Sequence, residues 1–360
     1  MTTETAQLLR SLADDVFGSQ QAELTDGPAR LGKPWDTIRE LEWPMVAIPE
    51  SLGGAGGDLE DILALAEGVG RNAVNLPLLP AHSAYAVAAA GGRTELLGRR
   101  LVVETQPRWS SLRVAELGRQ LRISGTARRT PWARHADVLL IRGPQAPRSG
   151  WIACDPRERA VTITPGLNLA GEPRDDVLFD DLVVGVENRW ECADDSLAAR
   201  GTLLRCAALV GAIDATVVLT SRYVSEREQF GRPLSALLSV ARAVALMRCQ
   251  LSAARSAVEA ARRSPTVMNC LAAHVDVAVC AGRVARSAHD LHGAMGVAEE
   301  YGLHAFTKRL WAWPEEGIRQ MDARSELGRQ AAEGGAEKLW ADIIGLSALD
   351  QRPRQEENSG

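Results

Sequence analysis

The chain has 360 residues, of which 46% are hydrophobic and 24% charged. This is the composition of a folded globular protein long enough for two or three packed units, and it excludes a wholly disordered chain. A formal net charge of −5 leaves no cationic excess for tracking phosphates, which argues against a general nucleic-acid binder.

The N-terminus, MTTETAQLLRSLADD, lacks a basic stretch followed by an apolar one, and no apolar run is read as reaching the roughly 20 residues of a bilayer span. Residues 1–100 read as a helical domain, broken at TDGPARLGKPW and PESLGGAGGD. Within it, Leu59, Ile62, Leu63, Leu65 and Ala66 recur at helical spacing, so a helix is expected to open near Asp58 and close by Gly70. PESLGGAGGD has the glycines of a phosphate cradle, but no strand precedes it and no GK[ST] follows, so it reads as a loop between helices.

Residues 101–190 change texture. Short strand-like runs (LRISGTA, DVLLIRG, WIACD, AVTITPG, DVLFDDLVV) alternate with Pro, Gly and Arg-Asp clusters, which predicts a small β domain. Residues 195–345 return to long helices. The stretch 203–226 is apolar around most of its circumference and is expected inside a bundle. A helix over 236–263 follows, then one begun by Ser264 and Pro265 and running to about Leu291. A last helix is expected from about 316 to 345, with 346–360 as a disordered tail. The six cysteines form no CxxC pair and sit mostly in apolar helical context, as buried reduced thiols do, so a cytoplasmic protein is expected.

Three stretches could carry chemistry. In YVSEREQFGRPL an apolar helix meets an Arg/Glu cluster, then Phe230-Gly231, with Gly231 read as a left-handed helix stop. Arg227 and Arg232 then either cap a helix dipole or reach a phosphate-bearing ligand. In HDLHGAMGVAEEYG, Gly293 and Gly296 frame a tight turn; His289 and His292 lie one helical turn apart without a third metal ligand, so they read as structural, and no metal site is expected. In WPEEGIRQ, Glu316 is either a catalytic base or an acidic helix start, with Glu315 facing elsewhere.

Taken in this order, with SGTARRTPWARHADVLL beside them, these segments resemble the acyl-CoA dehydrogenase family over residues 30–345. The resemblance implies an α+β, mainly α fold: an N-terminal helical domain, a shortened β-barrel-like middle domain and a C-terminal four-helix bundle. It also implies FAD between the middle domain and the bundle, an acyl thioester substrate on CoA or an acyl carrier protein, and homodimers or homotetramers. Position by position, Arg227, Gln229 and Phe230 fall on the family's Arg-x-x-Phe-Gly cofactor segment. Gly293 and Gly296 fall on the glycine turn near a partner's FAD. With a single-residue gap after Glu300, Glu316-Gly317 falls on the pair that carries the α-proton base, while the other base position of the family is Gly201.

The chain departs from the family at several places. No Thr-Glu-Pro…Gly-Ser-Asp segment is found near 101–120. Arg129 and Pro131 replace the Trp-x-Thr pair beside the flavin ring, and Leu238 and Asp290 stand where glutamines are usual. Three functions follow: an FAD-dependent α,β-dehydrogenase with Glu316 as base and hydride passing to flavin N5; a half-site subunit of a heteromer with a homologous chain; or a repurposed scaffold of specialised metabolism with degenerate or no flavin use.

Overall fold

The computed structural model describes residues 4–19, 31–105, 110–142, 150–192, 196–298 and 301–343, the last eight by backbone alone. The expected tail, Glu300 and part of the segment searched for Thr-Glu-Pro lie outside them.

The helical domain comprises α1 (Glu4–Ser19), α2 (Lys33–Glu40), α3 (Leu59–Arg71) and α4 (Leu78–Ala90). The helix read from periodicity is α3, and its start has a local cause. Asp58 Oδ1 accepts from the Glu60 and Asp61 amides while Asp61 Oδ2 accepts from the Asp58 amide. This capping box satisfies three N–H groups that the first turn would otherwise leave unpaired. α1 closes the outer side of α3, burying Ala13 and Phe17, and Phe17 meets Trp43 edge to face at 5.4 Å.

The middle domain holds two four-stranded sheets. One has the order β1 (Val102–Glu104), β4 (Val138–Arg142), β5 (Gly150–Cys154), β8 (Arg189–Glu191); the other has β2 (Arg113–Leu117), β3 (Gln120–Pro131), β7 (Arg174–Gly185), β6 (Val161–Thr164). The five expected strand runs correspond to β3 to β7, and the three short strands were not read from the sequence. β3 and β7 pair antiparallel with a register shift between Ala127 and Thr130. There Arg129 adopts φ 54° and its amide donates to Asp176 Oδ1 at 3.0 Å. A bulge re-aims a side chain, and here Arg129 joins the wall of a cleft facing the bundle.

The C-terminal helices are α5 (Ser196–Glu226), α6 (Leu238–Arg263), α7 (Val267–His292), α8 (Leu303–Ala312) and α9 (Gln320–Ile343), with a hairpin of β9 (Glu228–Gln229) and β10 (Arg232–Pro233) between α5 and α6. α5 packs on α6, α7, α8 and the N-terminal α3. Its crossing with α3 depends on two glycines. A Cβ at Gly211 would lie 1.9 Å from Glu67 O, and one at Gly70 would lie 1.7 Å from Ala208 O, so neither helix backbone could approach the other with alanine there.

Several expectations need correcting. α7 is capped by Thr266, whose side chain accepts from the Asn269 amide, not by Ser264; a threonine hydroxyl caps by the same hydrogen bond as serine, and Pro265 lies outside the helix. α8 was missed, and the last helix begins at Gln320, because Gly317 at φ 73° breaks the path before it. Two helices, Ser196–Glu226 and Val267–Gly296, are long and apolar enough to cross a membrane. A helix surrounded by others in a bundle needs the same composition, and both carry buried core residues along their length. Five of the six cysteines are buried, Cys249 is exposed, and none forms a disulfide.

Candidate functional site

The cleft between middle domain and bundle is built from three distant segments. Glu316 reaches it because α8 ends in a 3₁₀ turn at Trp313–Glu315, after which Glu316 is extended (φ −101°, ψ 144°). It is therefore in a loop, not at a helix start. Glu315 faces solvent and Glu316 is buried.

Both Glu316 oxygens are taken. Oε1 accepts from Asn168 Nδ2 at 2.6 Å and Arg174 Nε at 2.9 Å, and Oε2 accepts from Arg205 Nη1 at 3.1 Å and from Arg174 Nη2. Arg174 also donates to Glu172 Oε2 at 2.9 Å, and Trp313 Nε1 donates to Glu172 Oε1 at 3.0 Å. Two guanidinium groups and two carboxylates thus neutralise one another, lacing the 168–174 turn of the middle domain to the loop after α8 and to α5.

The electrostatics follow from this geometry. Burial alone would raise the Glu316 carboxyl, but Arg174, Arg205 and Asn168 outweigh it and hold it below the ordinary glutamate value. Burial would likewise disfavour the Arg174 charge, yet Glu316 and Glu172 raise its affinity for its proton. Glu104, on the same cleft wall, goes the other way: burial pushes it up to about 7, with Arg142 and Arg205 only partly offsetting. An efficient general base has a pKa near the working pH, and a carboxylate on four donors is a weak one.

The cleft also tests the flavin expectation. It is lined by Ser83, Glu104, Arg129, Arg174, Arg205 and Glu316 among others and has a volume of about 50 Å³, whereas small-molecule sites run to roughly 300–1,000 Å³. Arg129 and Pro131, standing where the resemblance expects the flavin's aromatic and hydroxyl neighbours, supply neither. With the ion-pair network filling it, this chain's own cleft does not fit an isoalloxazine ring.

The remaining expected site residues gather elsewhere. Arg227, Gln229 and Phe230 lie on the β9–β10 hairpin, all exposed, with Phe230 86% accessible. Phe230 and Gly231 have φ 54° and 75°, so Gly231 serves a two-residue hairpin turn rather than a helix stop; α5 has already ended at Glu226. Gly293 and Gly296 form a 3₁₀ turn after α7. The two elements meet through Tyr223, whose ring stacks on His292 at 4.3 Å. Tyr223 and Arg205 are both on α5, about 27 Å apart at 1.5 Å per residue. The structure therefore brings Arg227, Gln229, Phe230, Gly293 and Gly296 to one end of the bundle and Glu316 to another place.

His289 Nε2 meets Thr307 Oγ1 at 3.0 Å and His292 Nδ1 meets Ala288 O at 2.7 Å; no metal-binding cluster occurs among the described residues. Sequence reasoning missed Asn168, Glu172, Arg174, Arg205 and Glu104. One signal was available: Arg205 is a lone cation in the apolar run TLLRCAAL, and a buried arginine requires a partner.

Residues 190–312 match the family described as acyl-CoA dehydrogenase, C-terminal domain. Acyl-CoA dehydrogenase IpdE2 of Mycobacterium tuberculosis is 25% identical over 286 residues, covering 77% of this chain and 81% of that protein. Acyl-CoA dehydrogenase FadE34 of the same organism is 26% identical over 347 residues, covering 86% of this chain but 45% of FadE34. In fold, the chain is similar to a chain of the ChsE4-ChsE5 complex from M. tuberculosis, with a TM-score of 0.86 at 22% identity over 93% of this chain and 99% of that one. The sequence matches carry the same assignment as the helical domain, middle sheets and bundle: residues 190–312 match the acyl-CoA dehydrogenase C-terminal domain, and the chain as a whole is similar to acyl-CoA dehydrogenases.

Proposed function

We propose that this chain is the half-site subunit of a heteromeric acyl-CoA dehydrogenase: it completes the FAD site of a homologous partner, and the partner's cleft removes hydrogen from the acyl thioester. The observation that carries this reading is the engagement of both Glu316 oxygens by Asn168, Arg174 and Arg205 in a cleft of about 50 Å³. A cleft so filled admits neither flavin nor thioester. By contrast, the hairpin and glycine turn are presented outward: Phe230 at 86% exposure and Val297 at 74% flank exposed Arg227 and Gln229. Such apolar groups beside forked donors suit a partner's surface and a pyrophosphate.

Two comparisons lend support. The chain shares its fold with a chain of a two-component complex, ChsE4-ChsE5. The match to FadE34 occupies 45% of that protein, leaving length there for a second unit of similar size. The free thiols accord with a reducing compartment. Co-expression with a homologous chain bearing complete flavin motifs tests the proposal: a stable complex is expected whose FAD content is half that of a homomeric enzyme, and whose FAD affinity falls when Arg227 of this chain is replaced by Gln. Full activity and full FAD in this chain alone would overturn it.

A second reading, an autonomous dehydrogenase with Glu316 as base, is favoured by one observation: Glu316 and Gly317 both line the cleft. It requires Arg174 and Arg205 to release the carboxylate when substrate enters.

A further inference from the structure

Two cavities follow one another along the seam between α5 and α6 and share Arg255. One, of about 490 Å³, lies between those two helices alone. The other, of about 540 Å³, opens where α3 joins them and is edged by Arg10 of α1. Together they form a trough from Arg248 to Arg263 on α6, about 22 Å long at 1.5 Å per residue, or roughly four helical turns.

The lining residues keep the spacing of helix-on-helix packing. On α6 they include Arg248, Leu251, Arg255, Val258 and Arg262, and on α5 Ala207, Val210, Asp214, Val217 and Ser221. Both sets alternate steps of three and four residues, which is the seam of a coiled coil, where an added helix sets its knobs into holes between its neighbours' residues. The floor is apolar: Leu63, Val210, Val217 and Leu251 are buried there, while Val218 is left 62% exposed.

The charge of the trough selects its occupant. Six arginines line it, Arg10, Arg71, Arg248, Arg255, Arg262 and Arg263, against the four carboxylates Glu60, Glu67, Asp214 and Glu259, although the whole chain carries −5. Arg248 is exposed and has no ion pair among the described residues. Arg255, 50% exposed, meets Asp214 through Nη2 at 2.9 Å, and Arg263, 71% exposed, meets Glu259 through Nε at 2.9 Å, so each fork keeps donors to spare. A small anion would leave the apolar floor uncovered, and the same face of a second copy would set arginine against arginine.

We propose that this trough docks an acidic amphipathic helix of another protein. Its apolar seam lies on the α5–α6 floor, and its carboxylates, seven residues apart, meet Arg248, Arg255 and Arg262, which recur about every 10.5 Å along α6. The inference does not depend on which chain of a heteromer carries flavin, because no residue of the trough belongs to the Glu316 cleft or to the β9–β10 hairpin.

Fluorescence anisotropy of labelled three-heptad peptides added to the full chain tests it. The first probe carries leucine along its seam and glutamate beside it; the second has lysine for glutamate, and the third has glutamine for leucine. The first is expected to bind saturably and each of the others at least about tenfold more weakly, through like-charge contact or loss of apolar burial. Arg248→Glu, at an exposed position with no ion pair to lose, is expected to weaken the first probe about fivefold and to leave the urea midpoint unchanged. No saturable binding of the first probe, equal affinity for the second or the third, or an unchanged affinity in Arg248→Glu would each overturn the proposal.

Discussion

Replacing Glu316 by Gln separates a structural role from a catalytic one. The substitution keeps the shape of the side chain and removes its charge, and it turns one acceptor into a donor facing Arg174 or Arg205. Arg174, 9% exposed, keeps only Glu172 as a charged partner among the described residues, and Arg205 loses its ion pair with Glu316. Removing one partner of a buried ion pair typically costs about 3–5 kcal/mol. Arg205, at 23% side-chain exposure, recovers part of its hydration, so the lower end of that range, about 3 kcal/mol, is expected. Urea unfolding of the purified chain, followed by circular dichroism, should show the midpoint falling with little change in slope. In a reconstituted heteromer, turnover per intact complex should be unchanged. A Glu316→Gln chain within 0.5 kcal/mol of wild type that has lost all turnover would refute the clamp and make Glu316 the base.

Stability should fall on acidification with a computable slope. His82 and His274 are pushed down to about 4 by burial, from 6.5, so between pH 6.5 and 4.5 the unfolded chain binds two protons that the folded chain refuses. Glu104, raised from 4.5 to about 7, binds one proton in the folded chain over the same window and opposes them. The net single proton gives a loss of about 1.4 kcal/mol per pH unit as pH falls. Glu104→Gln removes the opposing contribution, and urea titrations at several pH values should show the slope roughly doubling; an unchanged slope contradicts the raised Glu104 carboxyl. Gly211→Ala sets two effects of opposite sign against each other: alanine favours a helix by about 1 kcal/mol, but its Cβ would press on Glu67 O. Net destabilisation of about 1–3 kcal/mol is expected from overpacking, and a raised melting temperature would contradict the close crossing of α3 and α5. Phe230→Ala, on an exposed turn, should leave the isolated chain's stability within ~0.5 kcal/mol while lowering its affinity for the homologous partner, measured by sedimentation.

What could be read along the chain was local. The Asp58 cap, the apolar circumference of α5 and the strands β3 to β7 are each set by neighbours within a few residues, so spacing disclosed them. The turn chemistry of Phe230-Gly231 was visible as a break, although a hairpin and a helix stop use glycine in the same way. α8 escaped because GLHAFTKRLWAWP is short and its pattern merges with the turn after it. The site was least legible because its parts are far apart: Glu316 meets Asn168 and Arg174 from one segment and Arg205 from another, and their pairing leaves no periodic trace. The resemblance located Glu316 at the cleft, but whether a carboxylate there is a free base or a clamped anion depends on those partners.

The visible absorption spectrum of the purified chain, alone with added FAD and again with a homologous partner, decides where the flavin lies. A half-site subunit takes up no FAD by itself and shows flavin bands only in the complex, at one FAD per pair of chains. Stoichiometric flavin in the isolated chain, bleached by an acyl thioester, would show that the Arg174–Glu316–Arg205 network opens to admit the cofactor and that this chain is itself the dehydrogenase.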